Sequence, residues 1–141
     1  MINKLIDGIS IRLNQMFGDD YNIYTETVEQ GFKEPCFFIK SLDPSKTPHP
    51  NKQSFREYLF DVMYFPESNE TNSEINSVTE DLFEGLEVIE LLNGDLKRGS
   101  NMHAETVDDK LHFFVNYNVF LRKVEQYENM EALEIYQNVK E

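Results

Sequence analysis

The feature that most constrains the fold is the regular alternation of side chains from Lys110 to Val124. Every second position is apolar, and the positions between them are mostly polar or aromatic. The apolar set is Leu111, Phe113, Val115, Tyr117, Val119 and Leu121. Successive side chains of a strand point to opposite faces, so a period of two predicts a long strand with one buried face. The chain therefore has to build a sheet and cover one side of it.

The segment Gln53–Phe65 alternates in the same way and predicts another long strand. One of its faces carries Tyr58, Phe60, Val62 and Tyr64 and is the better core candidate. The opposite face carries Phe55, Leu59 and Met63 together with the acids Glu57 and Asp61. We expect this second face to be more exposed and to be covered by a helix or by another subunit, because it combines large apolar side chains with charge.

Three further segments favour strands. Tyr21–Val28 and Pro35–Leu42 flank a polar break, and Leu96–Val107 pairs with the 110–124 strand as a hairpin across Asp108-Asp109. Between strands, Asp43–Lys52 contains three of the five prolines and predicts a long, exposed, mobile loop. Its residues Pro44, Pro48, His49 and Pro50 are candidates for a contact with a partner.

Two segments have helical periodicity. Ile2–Phe17 has an apolar stripe and ends at Gly18, and a second helix is predicted from Thr71 or Asn72 to about Leu91. The order helix, three strands, helix, two strands predicts an α+β fold with a mixed or antiparallel sheet of about five strands and both helices on one face. We expect a single domain, 1–141, whose tail, 125–141, fits a helix or a strand and could form an arm that docks on a neighbour.

Charge narrows the range of partners. The 26 acidic and 13 basic residues give a net charge of −13, which disfavours nucleic acid and anionic membranes as direct partners. The start of the chain lacks the apolar run of a signal peptide, and no segment is apolar enough to span a membrane. We expect a soluble protein made in the cytoplasm.

Catalytic and metal motifs are not found in this sequence. It has no phosphate loop, no nucleophile elbow and no cysteine–histidine cluster, and the single cysteine, Cys36, lies within an apolar strand. His49 stands alone between prolines, so no metal or cofactor site is predicted. A structural protein is favoured, and a small cytoplasmic enzyme or regulator that uses Cys36 or the carboxylates remains the alternative from a different class.

The run from Val28 to Ile39, VEQGFKEPCFFI, carries the clearest family signature. It follows a helix ending Leu13–Gly18, LNQMFG, and a strand containing Ile23–Glu26, IYTE. This combination resembles the tail terminator, or tail completion, proteins of phages and phage-tail-like particles from Gram-positive bacteria. A late Met130-Glu131 and the acidic second helix agree in layout.

The resemblance implies a small α/β subunit that forms a ring, usually a hexamer, on the head-proximal end of the tail tube. Such a ring stops tube growth and offers a surface to the head connector. The implied partners are further copies of itself, the tail tube protein, the sheath protein if there is one, and the head connector, with no cofactor. The implied location is the host cytoplasm during assembly and then the virion or tail-like particle.

Four residues match the family signature most closely: Gln30, Gly31, Phe32 and Lys33. The resemblance allows them to shape a turn near a subunit contact, and a plain turn with positive φ at Gly31 is the simpler alternative. We also predict self-association through Phe55, Leu59 and Met63 together with the Asp43–Lys52 loop. A head–tail connector, or neck protein, of similar size and charge is the nearest rival to the terminator hypothesis.

Overall fold

The computed structural model describes residues 1–124 and 135–139, with side chains for residues 1–123. The two helices are α1 (Ile2–Phe17) and α2 (Thr71–Gly85). The strands are β1 (Asn22–Tyr24), β2 (Cys36–His49), β3 (Gln53–Phe65), β4 (Val88–Glu90), β5 (Leu96–Val107), β6 (Lys110–Val124) and β7 (Ile135–Val139). The predicted α+β class is confirmed, and the short strands β1, β4 and β7 raise the strand number above the five expected.

The strands form one curled, mixed sheet in the order β1-β2-β3-β6-β5-β4, with β7 beside β6. β1 runs parallel to β2, and the other pairs are antiparallel. In the central pair, Tyr58 lies opposite Tyr117 and Phe60 lies opposite Val115. This register puts the apolar sets of β3 and β6 on the same face, as their alternation requires.

Both helices pack on that face and close the core. The stripes of α1 and α2 join the inward side chains of β2, β3 and β6 in one buried cluster. The helical contribution comes from Leu5, Ile9, Leu13, Ile75, Val78 and Leu82. A Cβ at Gly8 would lie only 3.0 Å from Leu91 Cδ2 and 3.4 Å from the Glu90 carbonyl oxygen. Glycine at this position therefore lets α1 lie close against the β4 end of the sheet.

The Asp43–Lys52 loop prediction is wrong in its secondary structure, although the segment is exposed as expected. β2 continues to His49, and its residues from Ser45 onward pair with β3. β1 ends at a pairing with Phe38, so the outer edge of β2 beyond that point has no neighbour among the described residues. Prolines are tolerated on such an edge, and one extra residue between Leu42 and Ser45 forms a bulge.

The second helix was predicted too long. It ends at Gly85, and Val88–Glu90 turns back as strand β4 rather than continuing to Leu91. Val88–Glu90 instead pairs with Leu96–Arg98 of β5. In the turn that joins the two strands, the Leu91 N–H donates to the Asp95 carbonyl oxygen at 2.8 Å and Gly94 has a φ of 92°. Asn-Gly before a strand is a hairpin signal. The helix also begins after Glu70 without a side-chain cap, where Thr71 or Asn72 was expected to cap it.

The remaining elements follow the sequence expectations. α1, β3, β5 and β6 have the predicted bounds, and Asp108 and Asp109 form their turn with positive φ. The first strand, predicted as Tyr21–Val28, is limited to the three residues of β1. The predicted arm, 125–141, lies outside the described residues except for 135–139, which form β7.

Candidate functional site

The sheet has one face that no described helix covers, which we call the helix-free face. It is formed in its centre by the β3 and β6 side chains that point away from α1 and α2. These are Phe55, Glu57, Leu59, Asp61 and Met63 on β3, and His112, Phe114, Asn116, Asn118 and Phe120 on β6. Most of them are half-buried, since neighbouring strands shield their stems while their ends reach solvent. The expectation that this side is the more exposed is confirmed.

An aromatic cluster closes the β1 end of the helix-free face. The Phe32 ring centroid lies 4.9 Å from that of Tyr24 and 5.1 Å from those of Phe38 and Phe65. The Lys110 ammonium nitrogen lies 5.0 Å from the Phe65 centroid, within cation–π range. The segment between β1 and β2 therefore folds over one end of the sheet and covers it.

The residues of the family signature form the turn that brings Phe32 to this cluster. Gly31 has a φ of 79°, and its N–H donates to the Val28 carbonyl oxygen at 3.1 Å. The Lys33 N–H donates to the Tyr24 hydroxyl at 3.2 Å, and the Lys33 carbonyl accepts from Asn22 Nδ2 at 3.1 Å. Gln30 and the Lys33 side chain are exposed. The predicted turn with positive φ at Gly31 is confirmed.

A part-buried polar pair occupies the middle of the helix-free face. His112 Nδ1 lies 2.8 Å from Asp61 Oδ2, and Asp61 is 7% exposed. The expectation that this face is more exposed holds for Glu57, which is exposed, and is wrong for Asp61, which is buried. The second oxygen of Asp61 and the amide oxygen of Asn118 have no hydrogen-bond donor among the described residues.

The far end of the helix-free face reaches the turn between β2 and β3. The Phe120 ring lies 5.4 Å from the His49 ring and 6.5 Å from the Phe55 ring, centroid to centroid. Pro44, Pro48 and Pro50 are exposed close by on β2 and its turn. The helix-free face thus has Phe32 at one end, Leu59 and Met63 between, and Phe55 with His49 at the other. Pro48 pairs with Ser54 and therefore belongs to the opposite face of β2.

Sequence reasoning missed part of this surface. His112, Phe114 and Phe120 were not selected as contact residues from the sequence. In the structure, His112 lies opposite Met63 and Phe120 lies opposite Phe55. His103 on β5 stacks on Phe114, with ring centroids 4.8 Å apart. The available signal was the presence of two phenylalanines at positions where an exposed strand face would carry polar residues.

A second polar network ties β3 to α2. The Tyr64 hydroxyl donates to Glu74 Oε2 at 2.5 Å, and the N–H groups of Glu67 and Ser68 donate to the same carboxylate at 2.9 Å. Burial opposes the ionised form of Glu74, but hydrogen bonds from Ser68, Tyr64 and Glu67 outweigh it and lower the pKa to about 2. This network anchors the start of α2 and lies away from the helix-free face.

Cys36, the nucleophile candidate in the sequence, is poorly placed for chemistry. Cys36 is fully buried, and its burial, followed by the charge of Glu34, raises the pKa of its thiol to about 11. A thiol of this kind is scarcely ionised at neutral pH and is a poor nucleophile. In residues 1–124 and 135–139, no three side chains of the metal-binding types lie together in a cluster that could hold an ion. None of the helices described has the length and apolar character needed to cross a membrane.

Comparison with known proteins gives one informative match. No curated protein matches the chain. A family model described as "Phage tail terminator protein" matches residues 4–129. The match contains both helices and the strands β1 to β6, so it extends over the aromatic cluster, the Asp61–His112 pair and the helix-free face as a whole. Because it takes in most of the chain, the protein belongs to the phage tail terminator family.

Proposed function

We propose that this protein caps the head-proximal end of a phage tail tube as a ring of identical subunits. The ring ends tube growth and then offers the surface to which the head attaches. The observation that carries the proposal is the family match over residues 4–129. Family membership makes the chain a structural component of a phage tail that associates with other tail components, and the ring, its six-fold symmetry and its capping role are the proposed refinements.

The composition of the helix-free face supports a role in subunit contact. Large apolar side chains, Phe55, Leu59, Met63 and Phe120, lie half-buried among polar neighbours such as Asn116. Protein interfaces have this arrangement, with aromatic residues and methionine in the centre and polar groups at the rim.

The proposed partners follow from the family and the charge. They are further copies of this chain, the tail tube protein, the sheath protein in a contractile tail, and the head connector. With a net charge of −13, the subunit is not expected to contact DNA directly, since its surface repels phosphate. Assembly would take place in the host cytoplasm before incorporation into the virion or tail-like particle.

Deletion of the gene from its parental phage or prophage tests the proposal, with particles imaged by negative-stain electron microscopy. Tails of uncontrolled length, or tails that lack their upper ring and cannot join heads, are the expected result. Tails of normal length beside free heads would instead indicate a head–tail connector. Normal, complete particles would contradict both assembly roles.

Complementation with a double variant tests the surface. Leu59→Lys with Met63→Lys places two charges in the middle of the helix-free face, and we expect it to abolish capping while the subunit stays folded. Asn72→Lys with Asn76→Lys on the exposed side of α2 changes net charge equally and serves as the matched control. Circular dichroism checks folding of both. Normal capping by the first variant would remove the helix-free face from the interface.

A further inference from the structure

The turn between β4 and β5 contains the one asparagine of this chain that is followed by glycine, Asn93-Gly94. An asparagine can lose its side-chain amide when the backbone nitrogen of the next residue attacks the side-chain carbonyl carbon. Glycine favours the attack because it has no side chain to obstruct the approach and its backbone is conformationally free. Asparagine is one of the thermolabile residues of proteins, and this turn is the position where the sequence most favours the change.

The reaction needs water and no other reagent. A bond forms between the Gly94 nitrogen and Asn93 Cγ, the bond from Cγ to Nδ2 breaks, and ammonia leaves with the proton that Gly94 loses. Water then opens the resulting cyclic succinimide at either of its two carbonyl groups. One product has aspartate at position 93, and the other has isoaspartate, in which the side-chain methylene becomes part of the backbone.

Neither burial nor crowding protects the turn. Residues 93–95 are exposed, and no described atom lies within 4 Å of the position that a Cβ of Gly94 would occupy. On its inner side the turn borders a groove between α1 and β4, which Ile11, Val88, Gly94 and Leu96 help to line. Water therefore has access to the turn, and any protection has to come from hydrogen bonds.

Three hydrogen bonds hold the groups that would react. The Gly94 N–H donates to the Leu91 carbonyl oxygen at 2.9 Å. Asn93 Oδ1 accepts from the Asp95 N–H at 3.0 Å, and Asn93 Nδ2 donates to Asp95 Oδ2 at 3.1 Å. The bond from the Leu91 N–H to the Asp95 carbonyl oxygen closes the same turn at 2.8 Å. The attacking nitrogen and both ends of the carboxamide are thus engaged in the closed turn.

These bonds oppose the reaction at each atom that has to change. The Gly94 nitrogen attacks only after it loses its proton, and the Leu91 carbonyl holds that proton in a hydrogen bond. Attack also makes Asn93 Cγ tetrahedral and draws it toward the nitrogen, so both carboxamide bonds to Asp95 have to lengthen. Local opening of a turn costs free energy, so the reaction proceeds from the opened state.

We propose that Asn93 is a deamidation site that the hydrogen-bonded β4–β5 turn keeps unreactive in the native protein. Opening of the turn admits the reaction, and the product cannot restore the turn. Aspartate at position 93 lacks the Nδ2 donor and places a second carboxylate beside Asp95, where like charges repel. Isoaspartate lengthens the backbone between Leu91 and Asp95. The modification therefore makes an opening of this edge of the sheet permanent.

Peptide mass spectrometry of the full-length protein tests the proposal without a substitution. The protein is incubated at neutral pH in buffer and in unfolding urea, and deamidation at Asn93 is followed over time in both. We expect the native rate to be at least about tenfold below the unfolded rate, since tenfold corresponds to an opening free energy of about 1.4 kcal/mol. A free peptide of residues 88–98 in the same two solutions corrects for any effect of urea on the chemistry.

Two outcomes of this measurement would overturn the proposal. Equal rates in the native and unfolded protein would mean that the turn gives no protection. A native rate above the unfolded rate would mean that the turn promotes the attack, with the Asp95 N–H polarising the Asn93 carbonyl.

A substitution tests which bonds protect the site. Asp95→Ala removes the acceptor for Asn93 Nδ2, and we expect native deamidation to become several-fold faster while the rate in urea stays the same. Asp108→Ala, at an exposed residue of the β5–β6 turn, changes net charge equally and should leave the rate at Asn93 unchanged. Circular dichroism checks folding of both variants. A folded Asp95→Ala variant that deamidates as slowly as the parent protein would overturn the assignment of protection to the contact between Asn93 and Asp95.

Hydrogen exchange tests the permanence of the change. In protein that carries Asn93→Asp, which reproduces the aspartate product, the N–H groups of Leu91 and Gly94 should exchange faster than in the parent protein, because the turn no longer closes. Exchange as slow as in the parent would show that the turn forms again after deamidation and would refute this part of the proposal.

Discussion

The two faces of the central strands have the same alternating origin and very different surroundings. On one face, Tyr58, Phe60 and Val62 are buried under α1 and α2 in the main core cluster. On the other, Phe55, Leu59 and Met63 are only half-buried beside charged neighbours. The alternation of side chains along a strand therefore identifies its two faces. The elements packed on each face decide whether its apolar residues stabilise the monomer or stay accessible to a partner.

The largest expected effect compares one phenylalanine from each face. Phe60→Ala removes a fully buried ring and should lower the free energy of unfolding by about 3–5 kcal/mol. Phe55→Ala removes a half-buried ring and should cost about 1 kcal/mol. Urea denaturation of the two variants measures both values. Similar losses would mean that the helix-free face contributes to the monomer core as strongly as the covered face.

The next comparison is made within the helix-free face. Asp61→Ala removes a buried carboxylate and leaves the half-buried His112 ring without its hydrogen-bond partner, so it should cost about 1–3 kcal/mol. Glu57→Ala, four residues earlier on the same strand face, changes an exposed carboxylate and should alter stability by less than about 0.5 kcal/mol. Denaturation midpoints at neutral pH distinguish the two. If Glu57→Ala is the more costly, the buried pair does not anchor this face.

A smaller effect concerns the covered side, where Glu74 ties α2 to β3. Its pKa is lowered from 4.5 to about 2 in the folded chain, so its ionised form stabilises the fold above pH 4.5 and this contribution disappears as pH falls toward 2. Glu74→Gln should therefore be less stable than the parent protein at neutral pH, by about 1 kcal/mol or less because solvent screens the carboxylate. The gap should shrink between pH 4.5 and 2. A gap that widens on acidification would contradict the assignment of these hydrogen bonds to ionised Glu74.

The smallest expected effect is the reaction of Cys36 in the native protein with a thiol reagent, and its measurement needs no substitution. Cys36 lies at the end of the helix-free face that the segment between β1 and β2 covers, and burial raises the pKa of its thiol to about 11. We expect a thiol reagent to modify the native protein very slowly and the urea-unfolded protein readily. Rapid modification of the native protein would show that the segment opens, and it would return the thiol to consideration as a reactive group.

Much of the fold follows from local pattern. The helix Ile2–Phe17 and the strands Gln53–Phe65, Leu96–Val107 and Lys110–Val124 were predictable because their periodicity is long and uninterrupted. The errors fell where local signals compete. The prolines predicted a loop in 43–52, but β2 pairs with β3 along one edge only, and its free edge accommodates the prolines. Helical spacing of apolar residues up to Ile89 predicted a continued helix, whereas Ile89 is buried as part of strand β4.

The candidate site was predictable only in part, for the same reason. Phe55, Leu59 and Met63 were identifiable because they share a strand face with acids. The groove between α1 and β4 was not, because Ile11 is far from Val88 and Leu96 in the sequence and meets them only through the packing of α1 beside β4. No local pattern shows which exposed side chains of different elements come together.

The sequence by itself determined the α+β class, the core faces of β3 and β6, the acidic surface and the family signature around Gly31. These depend on local periodicity, composition and short-range turn geometry, which are all properties of residues close together in the sequence. The tertiary structure decided that 43–49 is strand, that Asp61 is buried beside His112, and that Phe114 and Phe120 of β6 lie opposite Asp61 and Phe55 on the helix-free face. Those outcomes depend on strand order and on pairing between distant residues, which set the surroundings of a side chain independently of its neighbours in the chain.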